Sequence, residues 1–424
     1  MGLFREGAVL FVGMILNFSN KEGGDITFRE KLRSVYRGKG CPGMLTGVTV
    51  IDFSRHLPGP VCTMRLADLG AEVIEINSFP AHDPGPSTPA VNWEARETGA
   101  FYLRSHRNHK SISLNLRTED GKALAFALAS QADVVVESYR AGVLRHLGLD
   151  YDSLWAVHPS LIYCSVTGYG QSGEMYQLGG NDLNIQAVSG FLSALRDGEG
   201  KPVIADIPIA DYAVGLYASE QICAALVQRA RTGRGAYLDV ASGDILSSWM
   251  GLHAILGRCR SSQEYSSARH ERLAYQVYET SDGQYVALAA VEEKFWLNFC
   301  RAVGRADWEN AYQATASEQP EVYEDLKALF SSRTQAEWSE LGMEVDCCLT
   351  AVEDMENWAN SLYVTSREIA YTLPYLEKRT SSAGGKWAAW YTDHTHELLR
   401  KKLRLAESEL GRLQKLGVIP AIPT

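Results

Sequence analysis

Apolar and polar positions along the chain change period repeatedly from about residue 45 onward, and the changes predict a succession of strands and helices. TGVTVIDFS reads as a strand, HLPGP as a turn, and VCTMRLADLGAEVIEIN as a short helix reaching Gly70 followed by a second strand. Ser111–Leu116 (SISLNL) alternates as a strand. Thr118–Gln131 has helical spacing behind the capping sequence TEDG, and Asp133–Glu137 (DVVVE) is a buried strand. Leu161–Gly170 (LIYCSVTGYG) is another strand, and beyond Asp211 the small and apolar residues of AVGLYASEQICAALVQRA predict a long helix that stops at the glycines of TGRG, before the strand AYLDVA. Strands alternating with helices in this way imply an α/β fold with a mostly parallel, Rossmann-like sheet and helices on both faces.

The period changes again in the second half. Residues 257–272 (GRCRSSQEYSSARHER) are polar and rich in Ser and Arg, the pattern of a linker or mobile loop. YQVYETSDGQYVALAAV then reads as two strands around Ser281-Asp282-Gly283, followed by a helix from about Glu293, so a smaller α/β domain is expected from residue 273 to about 370. The last part, HELLRKKLRLAESELGRLQKLGVI, is an amphipathic helical stretch. The expected organisation is an extension of unknown role over 1–44, a large domain over 45–256, the linker over 257–272, the small domain over 273–370, and a return to the large domain over 371–424.

Composition narrows the function classes. With 424 residues, 46% hydrophobic and 22% charged, the chain is long enough for two or three domains and belongs to the ordinary globular range. A formal charge of -10 argues against generic attraction to nucleic acid or to an anionic membrane. Ala8–Phe18 is the most apolar run near the start and is too short for a bilayer, which takes about 20 residues. The eight cysteines lack paired C-x-x-C spacing and lie mostly in apolar runs, which suggests free thiols in a reducing, cytoplasmic setting. There is no G-x-x-x-x-G-K-[ST], H-E-x-x-H or G-x-S-x-G motif, so a zinc protease and the commonest serine hydrolases lose their signatures. G-x-G-x-x-G spacing occurs in GKGCPG and GYGQSG, but neither stands between a predicted strand and a predicted helix, which demotes an ordinary Rossmann dehydrogenase. His394-x-His396 reads as a helix start rather than a metal site, and no metal is expected. Three acids stand out at element ends: Asp182 in GGNDLN, Asp211 in IPIADYAVG and Glu292 in AAVEEKFW. Taken alone, each fits a helix-start carboxylate.

TVIDFS, GPVCTMRLADLGAEVIEI, HKSISLNLRTEDGK, ADVVVESYRAGVLRHLGL, SVTGYGQSG, GGNDLNIQAVSG, IADYAVG and RTGRGAYLDVA, in this order, resemble the class III CoA-transferases, a family that also includes the alpha-methylacyl-CoA racemases. The resemblance covers about residues 45–245, continues through YETSDGQYVALAAVEEKFW and AEWSELGMEVDCCLTAVEDM, and ends weakly in DHTHELL and LQKLGVI. It implies an interlocked homodimer, coenzyme A as co-substrate in the form of an acyl-CoA donor, and a carboxylic acid acceptor. It places the nucleophile on Asp211. At the position where racemases carry a catalytic histidine this chain has Asn181, followed by Asp182, and an amide cannot shuttle a proton. The glutamate that supports that histidine in racemases falls on Glu292, so AAVEEKFW and DCCLTAV lean towards the racemases while Asn181 leans towards transfer.

The CoA contacts implied by the resemblance are Arg55, His56, Leu57, Leu114, Arg117, Ser138, Tyr139, His146 and Leu147. Arg117 would meet a phosphate, and Leu57 and Leu147 would flank the adenine. The family usually has a basic residue soon after the strand ending in IE, whereas this chain has Ser78, which implies either weaker affinity for CoA or a substitute in Arg140 or Arg145. Backbone amides near Gly168, Gly170, Gly179 and Gly180 are the expected oxyanion donors. CoA transfer is thus the expected reaction, with a racemase or a non-catalytic acyl-CoA-binding relative as the alternatives.

Overall fold

The computed structural model describes residues 43–78, 105–106, 108–259, 271–366 and 394–421. The N-terminal extension, apart from its last two residues, and most of the 257–272 linker lie outside these. Six strands form one sheet: β1 (Thr49–Asp52), β2 (Glu72–Ser78), β3 (Lys110–Leu114), β4 (Val134–Glu137), β5 (Ile162–Thr167) and β6 (Ala236–Ala241). Their order is β3-β2-β1-β4-β5-β6 and every pair is parallel. This is the doubly wound arrangement, and its topological switch point falls between β1 and β4, where ligands bind beyond the carboxyl ends of the strands.

Strand alternation sends successive side chains to opposite faces, so each face has its own core. Ile51, Ile74, Ile112, Val135 and Tyr163 pack on one side with α2 (Glu119–Ala129), α3 (Val143–His146) and α4 (Tyr151–Trp155). Val50, Val73, Val134, Cys164 and Val240 pack on the other with α1 (Pro58–Asp68), α5 (Asp182–Val188), α6 (Ile209–Thr232) and α7 (Ser242–Trp249). The next helix, α8 (Gly251–Cys259), overlaps the first three residues of the expected linker.

The boundaries follow local chemistry. Thr118 accepts a hydrogen bond from Gly121 N–H at 3.1 Å and caps α2. Gly233, at φ 71°, closes α6 by donating its N–H to the Arg229 carbonyl at 2.8 Å. Gly215 allows α1 and α6 to touch, because a Cβ there would lie 2.7 Å from both the Pro58 carbonyl oxygen and Val61 Cγ1. Gly215→Ala should therefore destabilise the fold by about 1–3 kcal/mol through overpacking, against at most about 1 kcal/mol gained in helix propensity. Urea unfolding checks this; an unchanged midpoint would mean that α1 and α6 separate freely.

A second sheet, antiparallel and ordered β7-β8-β9, comprises β7 (Tyr275–Glu279), β8 (Tyr285–Ala289) and β9 (Leu349–Ala351). Its own core is built with α9 (Glu293–Ala302), α10 (Pro320–Phe330) and α11 (Gln335–Glu344) around buried Trp296, Trp308 and Trp338. Each of Trp296 and Trp338 donates its indole N–H to a backbone carbonyl, of Trp308 and Phe330 respectively. A short helix, α12 (Leu362–Ser366), follows.

The C-terminal stretch differs from a single helix. Arg404 adopts a left-handed φ of 56° and divides it into α13 (Thr395–Leu403) and α14 (Glu407–Lys415). Both return to the six-stranded sheet: Leu398, Leu399, Leu410 and Leu413 enter its core, and the Asn115 N–H donates to the Val418 carbonyl at 2.8 Å. The segment thereby covers edge strand β3, whose Ser113 N–H donates to Thr395 Oγ1. Among the described residues, Cys62, Cys164, Cys223, Cys300, Cys347 and Cys348 are free thiols, and no helix is long and apolar enough to cross a membrane.

Candidate active site

The carboxyl ends of β1, β2 and β4 gather one group of the expected residues. Asp52, fully buried at the end of β1, accepts hydrogen bonds from Ser54 N–H at 2.7 Å and from Thr63 Oγ1 at 2.5 Å, so it ties the turn after β1 to α1. Burial raises its pKa to about 6. The same turn presents Arg55, whose backbone N–H donates to Ser138 Oγ at 2.8 Å and whose guanidinium lies 5.3 Å from the Tyr139 ring centroid. Arg55 Nη2 also donates to Ser78 Oγ. A guanidinium, that of Arg55, therefore stands beside Ser78. Arg145 instead faces Asp150 and Asp152, at 3.5 and 3.3 Å.

The other expected CoA residues are distributed unevenly. His56 takes a left-handed φ of 65° between Arg55 and the start of α1, and buried Leu57 precedes α1. Leu147 packs against the sheet core while His146 is exposed. Leu114 is 0% exposed in that core and offers no surface to a ligand, which makes it a packing residue. Arg117 is exposed, and its N–H is bonded to Asn115 Oδ1.

Asp182 and Asp211 are brought together by two helix starts. Pro208, at the N-cap of α6, has no hydrogen-bonding side chain, so the first amides of α6 need an external acceptor. Asp182, the first residue of α5, supplies it: Oδ1 accepts from Ala210 N–H at 2.7 Å and from Asp211 N–H at 3.2 Å. Its Oδ2 accepts from Gln186 Nε2, one turn along α5. Asp182 is therefore a remote cap that holds the first turn of α6. Asp211 is half-buried in that turn, on the same face as Gly215 and the contact with α1. Burial, and then the charge of Asp182, push the Asp211 carboxyl up to about 7. A carboxylate in this setting is poorly solvated and titrates near neutrality, properties suited to a nucleophile or base. Gln186, 1% exposed, was not singled out from the sequence; its place four residues after Asp182 was the available signal.

The glycine segments lie just before α5 and after β5. A Cβ on Gly180 would lie 2.8 Å from the Tyr169 ring, and one on Gly179 would lie 2.7 Å from Arg140 Nη2, so a larger residue at either position would displace the Tyr169 ring or the Arg140 side chain. Gly170 does not serve as an oxyanion donor, because its N–H is committed to Thr167 Oγ1 at 2.9 Å. The next amide, of Gln171, is held by Asp239 Oδ2 at 3.0 Å. Gly179 and Gly180 lie on an exposed stretch directly before Asn181. Asn181 is the exposed N-cap of α5, and its N–H donates to Asn184 Oδ1 at 3.1 Å. Glu292 is the exposed N-cap of α9, 3.8 Å from Lys294, and among the described residues no hydrogen bond or ion pair joins it to Asp182 or Asp211. His394 and His396 each meet backbone, at Ser111 N–H and the Pro420 carbonyl, and among the described residues no three His, Cys, Asp or Glu side chains form a metal-holding group.

The sequence pattern of CoA-transferase family III matches residues 45–400. Succinyl-CoA:glutarate CoA-transferase of Mus musculus is 32% identical over 334 residues, 74% of this chain and 75% of that protein. Alpha-methylacyl-CoA racemase of Homo sapiens is 28% identical over 375 residues, 84% of this chain and 93% of that one. Among solved structures, Rv3272 from Mycobacterium tuberculosis superposes with a TM-score of 0.65 at 27% identity, covering 77% of this chain and 87% of its own. With a family match over most of its length and the doubly wound sheet to carry it, the chain belongs to CoA-transferase family III.

Proposed function

We propose that the protein moves CoA from an acyl-CoA thioester to a carboxylic acid through covalent intermediates on Asp211. The observation that carries this reading is the placing of Asp211, whose backbone N–H donates to Asp182 Oδ1 and whose half-buried carboxyl is pushed up to about 7 by burial and by the charge of Asp182. Ionised Asp211 attacks the thioester carbonyl, whose electron pair moves to oxygen; collapse expels the thiolate and leaves a mixed anhydride. The thiolate then attacks the aspartyl carbonyl, releasing the donor acid and leaving an Asp211 thioester. The acceptor carboxylate repeats the two steps in reverse and departs as its CoA thioester, restoring Asp211. The Gly179 and Gly180 amides supply donors to the oxyanion, and Asp182 keeps the aspartyl backbone fixed while the side chain changes its bond.

Coenzyme A fits as a substrate of the switch-point cradle, where the Arg55 guanidinium stands beside Ser78, Ser138 and Tyr139. In this reading the six-stranded body, with its C-terminal return, is the CoA-binding domain and the three-stranded unit is the small domain. A homodimer is also proposed: Ile204, Ile207 and Leu216, before and along α6, are 65%, 60% and 50% exposed, a surface that a second chain would cover. That second chain is the route by which a Glu292 approaches an Asp211. His56, His146, Leu147 and Arg117 remain proposed CoA contacts.

Calorimetry tests the binding half. CoA should bind the protein, and Arg55→Ala should weaken it by about 10-fold or more, the loss of one charge-assisted phosphate contact. Absence of heat at millimolar CoA would remove the transferase reading. Turnover is tested with succinyl-CoA and glutarate, the acids in the names of the transferase relatives, followed by mass spectrometry of new thioesters.

A further inference from the structure

Gln186 stands apart from every role assigned above. It lies on α5 with 1% exposure, its Nε2 donates to Asp182 Oδ2, and its Oε1 has no partner among the described residues. Asp182 Oδ1 is at the same time engaged by the Ala210 and Asp211 amides. One buried amide thus fixes the carboxylate that in turn fixes the backbone of the proposed nucleophile. A buried carbonyl left without a donor costs free energy, so core packing alone does not account for an amide side chain here.

We infer that Gln186 is a positioning residue, which sets the rotation of the Asp182 carboxylate and through it the presentation of Asp211 for acyl transfer. The inference rests on the reading of Asp211 as the nucleophile, but the geometry it requires exists without substrate. The spare Oε1 adds a second property: by turning its amide, Gln186 meets a hydrogen-bond donor at position 182 as well as an acceptor. The chain Gln186, Asp182, Asp211 runs across two helices and touches substrate only at its last member.

A polarity swap tests this. Gln186→Glu sets two acceptors against each other; kcat should fall at least about 10-fold with KM for acyl-CoA within about 2-fold, since Gln186 does not meet CoA. Asp182→Asn combined with Gln186→Glu restores a donor facing an acceptor, and the side-chain oxygen kept at position 182 still serves the Ala210 and Asp211 amides. The double variant should recover most of the lost kcat and thermal midpoint. Moving the charge away from Asp211 should also shift the titration of its carboxyl below about 7. That titration is read in the substrate-free protein by pH-difference infrared spectroscopy, with Asp211→Asn as the blank. The recovery of the thermal midpoint in the double variant is likewise read without substrate and remains decisive for Gln186 if the wild type shows no transfer at all, an outcome that would overturn the proposed function by itself. Losses that simply add in the double variant, or a silent Gln186→Glu, would overturn the positioning role.

Discussion

Asp211→Ala should abolish transfer, lowering kcat by at least about 10⁴-fold, as expected when a covalent nucleophile is removed, while CoA binding at the Arg55 cradle persists. The pH profile carries the same argument with a definite sign. Asp211 must be ionised to attack, and its pKa is raised to about 7, so kcat/KM should climb as pH rises through about 7 and fall away on the acid side. Asp182→Asn removes the second cause of that rise and keeps an oxygen for the Ala210 and Asp211 amides. Its acid limb should therefore move to lower pH. Trapping with hydroxylamine during turnover should yield a hydroxamate on the Asp211 peptide. Modification at Asp182 with none at Asp211 would reverse the assignment.

Exchange of the alpha hydrogen separates the two chemistries that the relatives leave side by side, CoA transfer and alpha-methylacyl-CoA racemisation. In deuterium oxide with a 2-methylacyl-CoA and no acceptor acid, the protein should incorporate no deuterium at the alpha carbon. Racemisation needs a base on each face of that carbon. Asn181 provides none, and a Glu292 approaching from a second chain finds no histidine at position 181 to support. Adding an acceptor acid should produce a new thioester with the alpha hydrogen intact. Asn181→His places a base one residue before Asp182 and should raise exchange measurably above background. Rapid exchange by the wild-type protein would show that another residue supplies the second base and that the transferase reading fails.

Most of the fold was legible in the order of apolar and polar residues. AYLDVA, Asp133–Glu137, the turn at Ser281-Asp282-Gly283 and the helix from Glu293 coincide with observed elements to within a residue or two, because their signals are local: alternation, a glycine with positive φ, a run of β-branched residues. The C-terminal stretch was half legible. Its amphipathic period predicts helix, but the break at Arg404 has no local marker, since a left-handed Arg is selected by how Leu403 and Leu405 pack against the sheet.

The site divides along the same line. Residue types in sequence, with a family resemblance, single out Asp211, Asp182, Arg55 and Tyr139, and the lack of a base at Asn181 is evident from the chain alone. Sequence does not show that Asp182 caps a helix beginning 27 residues later, that Arg55 reaches Ser78, that Leu114 is sealed in the core, or that the Gly170 amide is already used. Those are contacts between segments far apart in the chain, made where the carboxyl ends of parallel strands converge. What the sequence by itself determined was the succession of elements and the chemistry available, which depend on near neighbours. What only the tertiary structure decided was which groups share a hydrogen bond and which carboxyl is pushed towards neutrality, because desolvation and charge act through space rather than along the chain.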